Sequence, residues 1–190
     1  MSLWASTSQT IGPFFAIGLT RLKQDVLVGE GVSGERVTIA GRILDGDGVP
    51  VPDGLVETWQ ANAHGKYAHP EDDQNKSLET GFKGFGRVMT DDQGRFQLTT
   101  IKPGSVPAPD GKTQAPHIAV SVFARGLEKR LVTRIYFPGD PLNMNDSVLN
   151  AVPPTRRSTL IATACAPSSE TTLRFDIVLQ GEGETVFFSV

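Results

Sequence analysis

Glycine and proline cut this chain into short apolar runs from one end to the other, and that punctuation favours folds built from short strands. There are 20 glycines and 13 prolines among 190 residues, above the combined share of roughly 12% usual in proteins, and they fall between apolar stretches rather than in one linker. Arg36 to Leu44 (RVTIAGRIL) places Val37, Ile39 and Ile43 on one side, the alternation of a half-buried strand. The DGDG at Asp45 to Gly48 supplies the positive-φ positions of a tight turn. It lacks the further acidic ligands and closing Glu of a calcium loop. Further strands are expected at Leu55 to Ala61, Arg95 to Ile101, His117 to Ala124, Arg130 to Phe137, Ser158 to Ala164 and Thr171 to Leu179. About seven such strands with turns between them indicate an all-β chain, a β-sandwich with long loops and little helix. Only Asp146 to Ala151 reads as helix, with Asp146 as N-cap and Pro153-Pro154 as the stop.

The length suits one domain over residues 1–190 with a hydrophobic core of its own. Cys165 is the sole cysteine, which excludes an intrachain disulfide or a cysteine-based zinc cluster and suits a reducing compartment. A net charge of -3, from 18 basic and 21 acidic side chains, offers no basic field and argues against nucleic acid as a partner. The opening MSLWASTSQTIGPFFAIGLT lacks the basic n-region and long apolar stretch of a signal peptide. No run reaches the roughly 20 apolar residues that cross a bilayer, so a cytoplasmic location and no membrane partner are expected.

Two tyrosines and three histidines limit the metal chemistry this chain can host unaided. His117 opens a strand on which a second ligand should stand at i+2, the spacing that puts two side chains on one face. That position is Ala119. His64, Tyr67 and His69 cluster in ANAHGKYAHP; such a set could bind a transition metal, a phenolate favouring a hard ferric ion, or could be no more than a polar loop. Nucleophile-elbow, HExxH and phosphate-loop motifs are missing, and the glycine-rich GFKGFGRV at Gly81 to Val88 reads as a turn. The stretches Gly65 to Gly86 and Lys102 to Gln114 are long and polar, which in a compact domain marks either a functional loop or disorder. Arg125-Gly126 and Arg130 put positive charge at a hairpin tip, suited to carboxylate recognition or simply solvated.

Several strings together resemble the intradiol ring-cleaving dioxygenases: TSQTIGPFF from Thr7, ETWQANAHGKYAH from Glu57, GFGRVMTDDQGRFQLTTIKPG from Gly84, APHIAVSVFARG from Ala115, TRIYFPGD from Thr133 and the ending RFDIVLQGEGETVFF. The resemblance covers nearly the whole chain and implies the family's β-sandwich. Catalytic members hold Fe(III) with two tyrosines and two histidines and insert dioxygen between the hydroxyl-bearing carbons of a catechol. Carried over position by position, the first tyrosine falls on Tyr67 and the first histidine on His117. The second tyrosine falls on Val106, in Gly104-Ser105-Val106-Pro107, and the second histidine on Ala119. The resemblance therefore implies a relict centre in this chain. It implies Fe(III) held by an iron-bearing beta subunit as partner, and O2-dependent cleavage of protocatechuate (3,4-dihydroxybenzoate) to 3-carboxy-cis,cis-muconate by the pair. Thr10, Gly12, Pro13 and Arg125 are then expected to border the partner's substrate pocket, with the N-terminal segment, about residues 1–35, in subunit contacts. Two other readings compete: a site rebuilt with His64, His69 or Tyr136, and an iron-free transthyretin-like binding or scaffold module with no part in catalysis.

Overall fold

The computed structural model describes residues 10, 12, 14–109, 111–165 and 171–189. Its strands in chain order are β1 (Arg36–Leu44), β2 (Leu55–Trp59), β3 (Phe85–Met89), β4 (Arg95–Ile101), β5 (Val106–Pro107), β6 (Thr113–Gln114), β7 (His117–Phe123), β8 (Leu131–Tyr136), β9 (Thr163–Ala164), β10 (Thr171–Arg174) and β11 (Ile177–Val178). In one sheet β1 is central, antiparallel to β4 on one edge and parallel to β10 and β11 on the other, with β9 beyond β10. The second sheet runs β3-β2-β7-β8, antiparallel throughout. Val37, Ile39 and Ile43 of β1 and Leu98 of β4 share one buried cluster with Val56 of β2 and with Ile118, Val120 and Val122 of β7. This is the sandwich expected from the alternation, each sheet burying one face on the other.

Four local expectations are corrected. The Gly81 to Val88 stretch, read as a turn, contains β3. Glycine is there because the strand lies close on its neighbours: a Cβ at Gly86 would come within 2.4 Å of Thr58 Oγ1 and 2.9 Å of Leu98 Cδ1. The single strand expected over Thr171 to Leu179 is split into β10 and β11. At the break the carboxylate of Asp176 accepts from Arg42 N at 3.1 Å, taking over the role of a ladder carbonyl. Most of Ser158 to Ala164 is not strand. Pro153 and Pro154 launch a 3-10 helix over Pro154–Leu160, proline being suited to a first helical turn and unable to serve a ladder. Finally α1 (Phe14–Leu19) is a short helix with only Ala16 buried, so no amphipathic period announces it. The expected second helix forms as α2 (Ser147–Ala151), and Asp146 caps it by accepting from Leu149 N.

Candidate functional site

β7 has a different assembly at each end. Its first residues, His117 and Ala119, lie between β2 and β8: Ala119 is opposite Trp59 on one side and Arg134 on the other, and His117 is opposite Tyr136. Directly opposed residues share a sheet face, with Cβ atoms about 5 Å apart. Tyr67 stacks on Trp59, ring centroids 5.9 Å apart and 10° from parallel. Val106 pairs with Gln114 across β5 and β6, and the Gln114 carboxamide accepts from Arg134 Nη1 at 2.7 Å while donating to Pro107 O at 3.0 Å. The positions of Tyr67, Val106, His117 and Ala119 thus converge on one place. A cleft of about 360 Å³, lined by Trp59, Tyr67, His69, Asp72, Val106 and Gln114 among others, opens beside it.

The two long loops form the wall of this cleft by locking together at their backbones. The Asn62 side chain accepts from His64 N and Lys66 N, both at 3.0 Å, and donates to Ser77 O at 2.8 Å. Gly104 N donates to Asn62 O at 2.9 Å. The contact requires glycine on both sides: a Cβ would meet Ser105 O at 2.0 Å from Gly65, where φ is +75°, and Ala63 O at 2.5 Å from Gly104.

Burial governs the electrostatics here. The Tyr67 phenol is raised above its ordinary value by burial, with the Arg134 charge opposing and Asp72 adding to the rise. His117 is lowered to about 4, first by burial and then by the Arg134 charge, against the Ala115 carbonyl and Asp146. Its Nδ1 lies 2.7 Å from Ala115 O; a carbonyl can only accept, so Nδ1 carries the proton and Nε2 the lone pair. Tyr136 donates to Asp146 Oδ1 at 2.9 Å, and burial raises its phenol. Asp146, fully buried, also accepts from Ala115 N and Leu149 N, each at 2.8 Å. What converges on this centre is one phenol, one imidazole, two hydrocarbon side chains and a guanidinium. That donor set does not fit a ferric ion, which needs several anionic or imidazole donors. Among the described residues no group of three or more His, Cys, Asp or Glu is placed to hold a metal. His64 is exposed on its loop and Tyr136 is committed to Asp146; of the three rebuilding candidates only His69, itself exposed, lines the cleft with Tyr67.

Arg125 stands beyond the other end of β7. It is eight positions on from His117, at most about 26 Å even at full strand rise. Arg125 Nε lies 3.0 Å from Asp53 Oδ2, and the Arg125 side chain is 56% exposed. Asp53 is the one described non-glycine residue with positive φ, +57°. Gly126 N donates to Thr10 Oγ1 at 2.9 Å, so the N-terminal segment is tied to the same tip. Gly12 follows with open space around its Cα; Pro13 lies outside the described residues. Nearby in sequence, Phe14, Ile17, Leu22 and Val26 are 55–80% exposed.

Sequence reasoning missed Arg134, Gln114 and Asp53. A charged residue on the same strand face as Tyr136 was the available signal for Arg134; nothing in the sequence pairs Asp53 with Arg125. A second and larger cavity, about 950 Å³, lies elsewhere, against β1 and β4, lined in part by the ion pairs Lys23–Asp25, Arg95–Asp91 and Arg174–Asp176. It is lined by Cys165 and Val26 but by none of the expected ligand or substrate-pocket residues.

Comparison with known proteins extends the resemblance. A family model described as Dioxygenase matches residues 11–181. A protocatechuate 3,4-dioxygenase alpha chain of Pseudomonas putida is 43% identical over 95% of this chain and 94% of its own length, and one of Burkholderia cepacia is 40% identical over 100% and 99%. A protocatechuate 3,4-dioxygenase beta chain of Burkholderia cepacia is 42% identical over 80% of this chain and 67% of its own length. Among solved structures, the dioxygenase domain of a carbohydrate-binding fusion protein from Streptomyces sp. SirexAA-E superposes with a TM-score of 0.64 at 28% identity, over 84% of this chain and 88% of that one. With a matched sandwich and a matched sequence over nearly its full length, the chain belongs to the intradiol ring-cleaving dioxygenases.

Proposed function

We infer that this chain is the alpha subunit of a heteromeric protocatechuate 3,4-dioxygenase that lacks a complete iron site and completes the substrate pocket of an iron-bearing beta subunit. The assembly adds both atoms of O2 to protocatechuate, cleaving the bond between the hydroxyl-bearing carbons to give 3-carboxy-cis,cis-muconate. The similarity to two alpha chains at nearly full coverage, and to a separately named beta chain, supports a hetero-oligomer. The observation that carries the division of labour is the separation along β7. Arg125 and Thr10 sit at the end away from Tyr67 and His117, too far to serve a ring bound at the chain's own centre. They serve a ring bound by another chain.

Each residue then has a part that its chemistry allows. The Arg125 guanidinium, held by Asp53 yet exposed, pairs with the ring carboxylate, a charge-assisted contact that orients the ring and favours protocatechuate over plain catechol. Thr10 is held to the Arg125 turn, Gly12 lets backbone pass close to the substrate, and Pro13 is assigned to the same pocket by its place in the sequence motif. Within the first 35 residues, the exposed Phe14, Ile17, Leu22 and Val26 become buried against the partner, as apolar interface residues do. No helix among the described residues is long and apolar enough to cross a membrane, in keeping with a cytoplasmic place for the assembly. The test is iron stoichiometry: this chain purified alone should carry no stoichiometric iron and no ferric-tyrosinate absorption, whereas the complex with its beta subunit should show both. Stoichiometric iron in the lone chain overturns the reading.

A further inference from the structure

The Tyr67–His117 centre is short of ligands, but it is not an empty half-shell, because a cation already stands in it. Arg134 opposes Ala119 across the β7–β8 ladder, so the two share a sheet face. The guanidinium is fixed there by Gln114 Oε1 at 2.7 Å, with the Tyr136 hydroxyl at 3.5 Å. Gln114 in turn belongs to the strand opposite Val106. Arg134 therefore faces one of the positions that lack a donor and is tied, through Gln114, to the strand pair that carries the other. Among the described residues no carboxylate forms an ion pair with it, so its charge acts outward on the site. The same charge bears on Tyr67, His117 and Tyr136.

We propose that Arg134 is the built-in replacement for a metal at this centre, a half-buried guanidinium that fills the place between Val106 and Ala119 and excludes cations by charge. This rests on the reading that Tyr67, Val106, His117 and Ala119 are the family's four ligand positions. Two missing ligands would by themselves weaken metal binding. A fixed cation explains why restoring the ligands is not enough, since a ferric or divalent ion would have to enter against a like charge a few ångströms away in a poorly solvated site.

The test uses the full chain, with ferrous ammonium sulfate in air as the iron source. Val106→Tyr with Ala119→His should stay substoichiometric in iron and colourless while Arg134 remains. Adding Arg134→Met should bring stoichiometric iron and a visible tyrosinate band, and adding Arg134→Lys instead, which keeps the charge, should not. Filling of the double variant with Arg134 in place overturns the proposal but leaves the four positions standing. Equal filling with Met and Lys overturns it as well. A folded triple variant carrying Met and still without iron overturns the four-position reading, and the proposal with it. A gentler pair guards against misfolding: Ala119→His alone makes a two-histidine face with His117. Its Zn(II) affinity by calorimetry should rise at least about tenfold on adding Arg134→Met. Equal affinities overturn the proposal.

Discussion

The two ends of β7 are built to opposite rules. At the His117 end a buried network closes within the chain: Tyr136, Ala115 N and Leu149 N all donate to Asp146, and Gln114 joins Arg134 to Pro107 O. At the Arg125 end the groups are held but not enclosed. Arg125 is more than half exposed beside a residue in left-handed backbone, and Asp53 Oδ1 has no hydrogen-bond partner among the described residues. A buried, internally satisfied cluster contributes to stability, whereas an exposed charged group on a fixed turn contributes to recognition. On the proposed reading, what is kept of a catalytic centre here serves the fold, and the working surface lies at the far end of the same strand.

The sharpest way to break that comparison is at Asp146. Asp146→Ala leaves three buried donors without an acceptor, and at about 1–3 kcal/mol for each unsatisfied group the chain should lose on the order of 4 kcal/mol in chemical denaturation. A loss below about 1 kcal/mol would mean that the enclosed end does not carry stability. Next comes acid. His117 is held neutral down to about 4 against an ordinary 6.5, so between those values the unfolded chain binds a proton that the folded chain does not. Stability is therefore complete above pH 6.5 and is lost as pH falls toward 4, by about 3 kcal/mol over the window. His117→Gln should flatten this limb of the stability curve; an unchanged limb would assign it to other groups.

At the open end the expected effects move from stability to kinetics. In the assembled complex Arg125→Ala should lower kcat/KM for protocatechuate by about tenfold to fiftyfold, the worth of one charge-assisted contact. The partner's iron content should hold and the melting temperature should hardly move; unchanged kinetics would remove Arg125 from the pocket. Asp53→Asn keeps the shape but removes the charge that faces Arg125, and should cost about threefold in the same parameter. Smallest is Thr10→Val, which deletes the acceptor for Gly126 N. It should cost about 1 kcal/mol or less in subunit association, read as faster dissociation on dilution.

The sequence made the buried alternation visible, so β1, β4 and β7 and the Asp146 cap stand where the pattern puts them. It hid elements whose reason lies in another strand. The glycines of β3 are set by the closeness of Thr58 and Leu98, and the break between β10 and β11 by a side-chain acceptor for Arg42. The site divides in the same way. Tyr67, Val106, His117 and Ala119 can be picked out by motif because each lies in a short local string. Arg134 and Gln114 cannot, since their meeting depends on the register of β7 with β8 and on the β5–β6 pairing. Asp53 meets Arg125 only because β2 and β7 are neighbours, so that their ends come together.

The backbone contact between Gly65 and Ser105, together with that between Gly104 and Ala63, has a consequence for motion. Long polar loops beside a cleft usually open and close in microseconds to milliseconds. These two cannot part without breaking the Gly104–Asn62 hydrogen bond, and the Asn62 side chain that anchors it is itself held within its own loop by His64 N, Lys66 N and Ser77 O. The two loops should therefore move together, and the amides of Gly65 and Gly104, both donating to Asn62 O at 2.9 Å, should exchange with solvent as slowly as those of a strand.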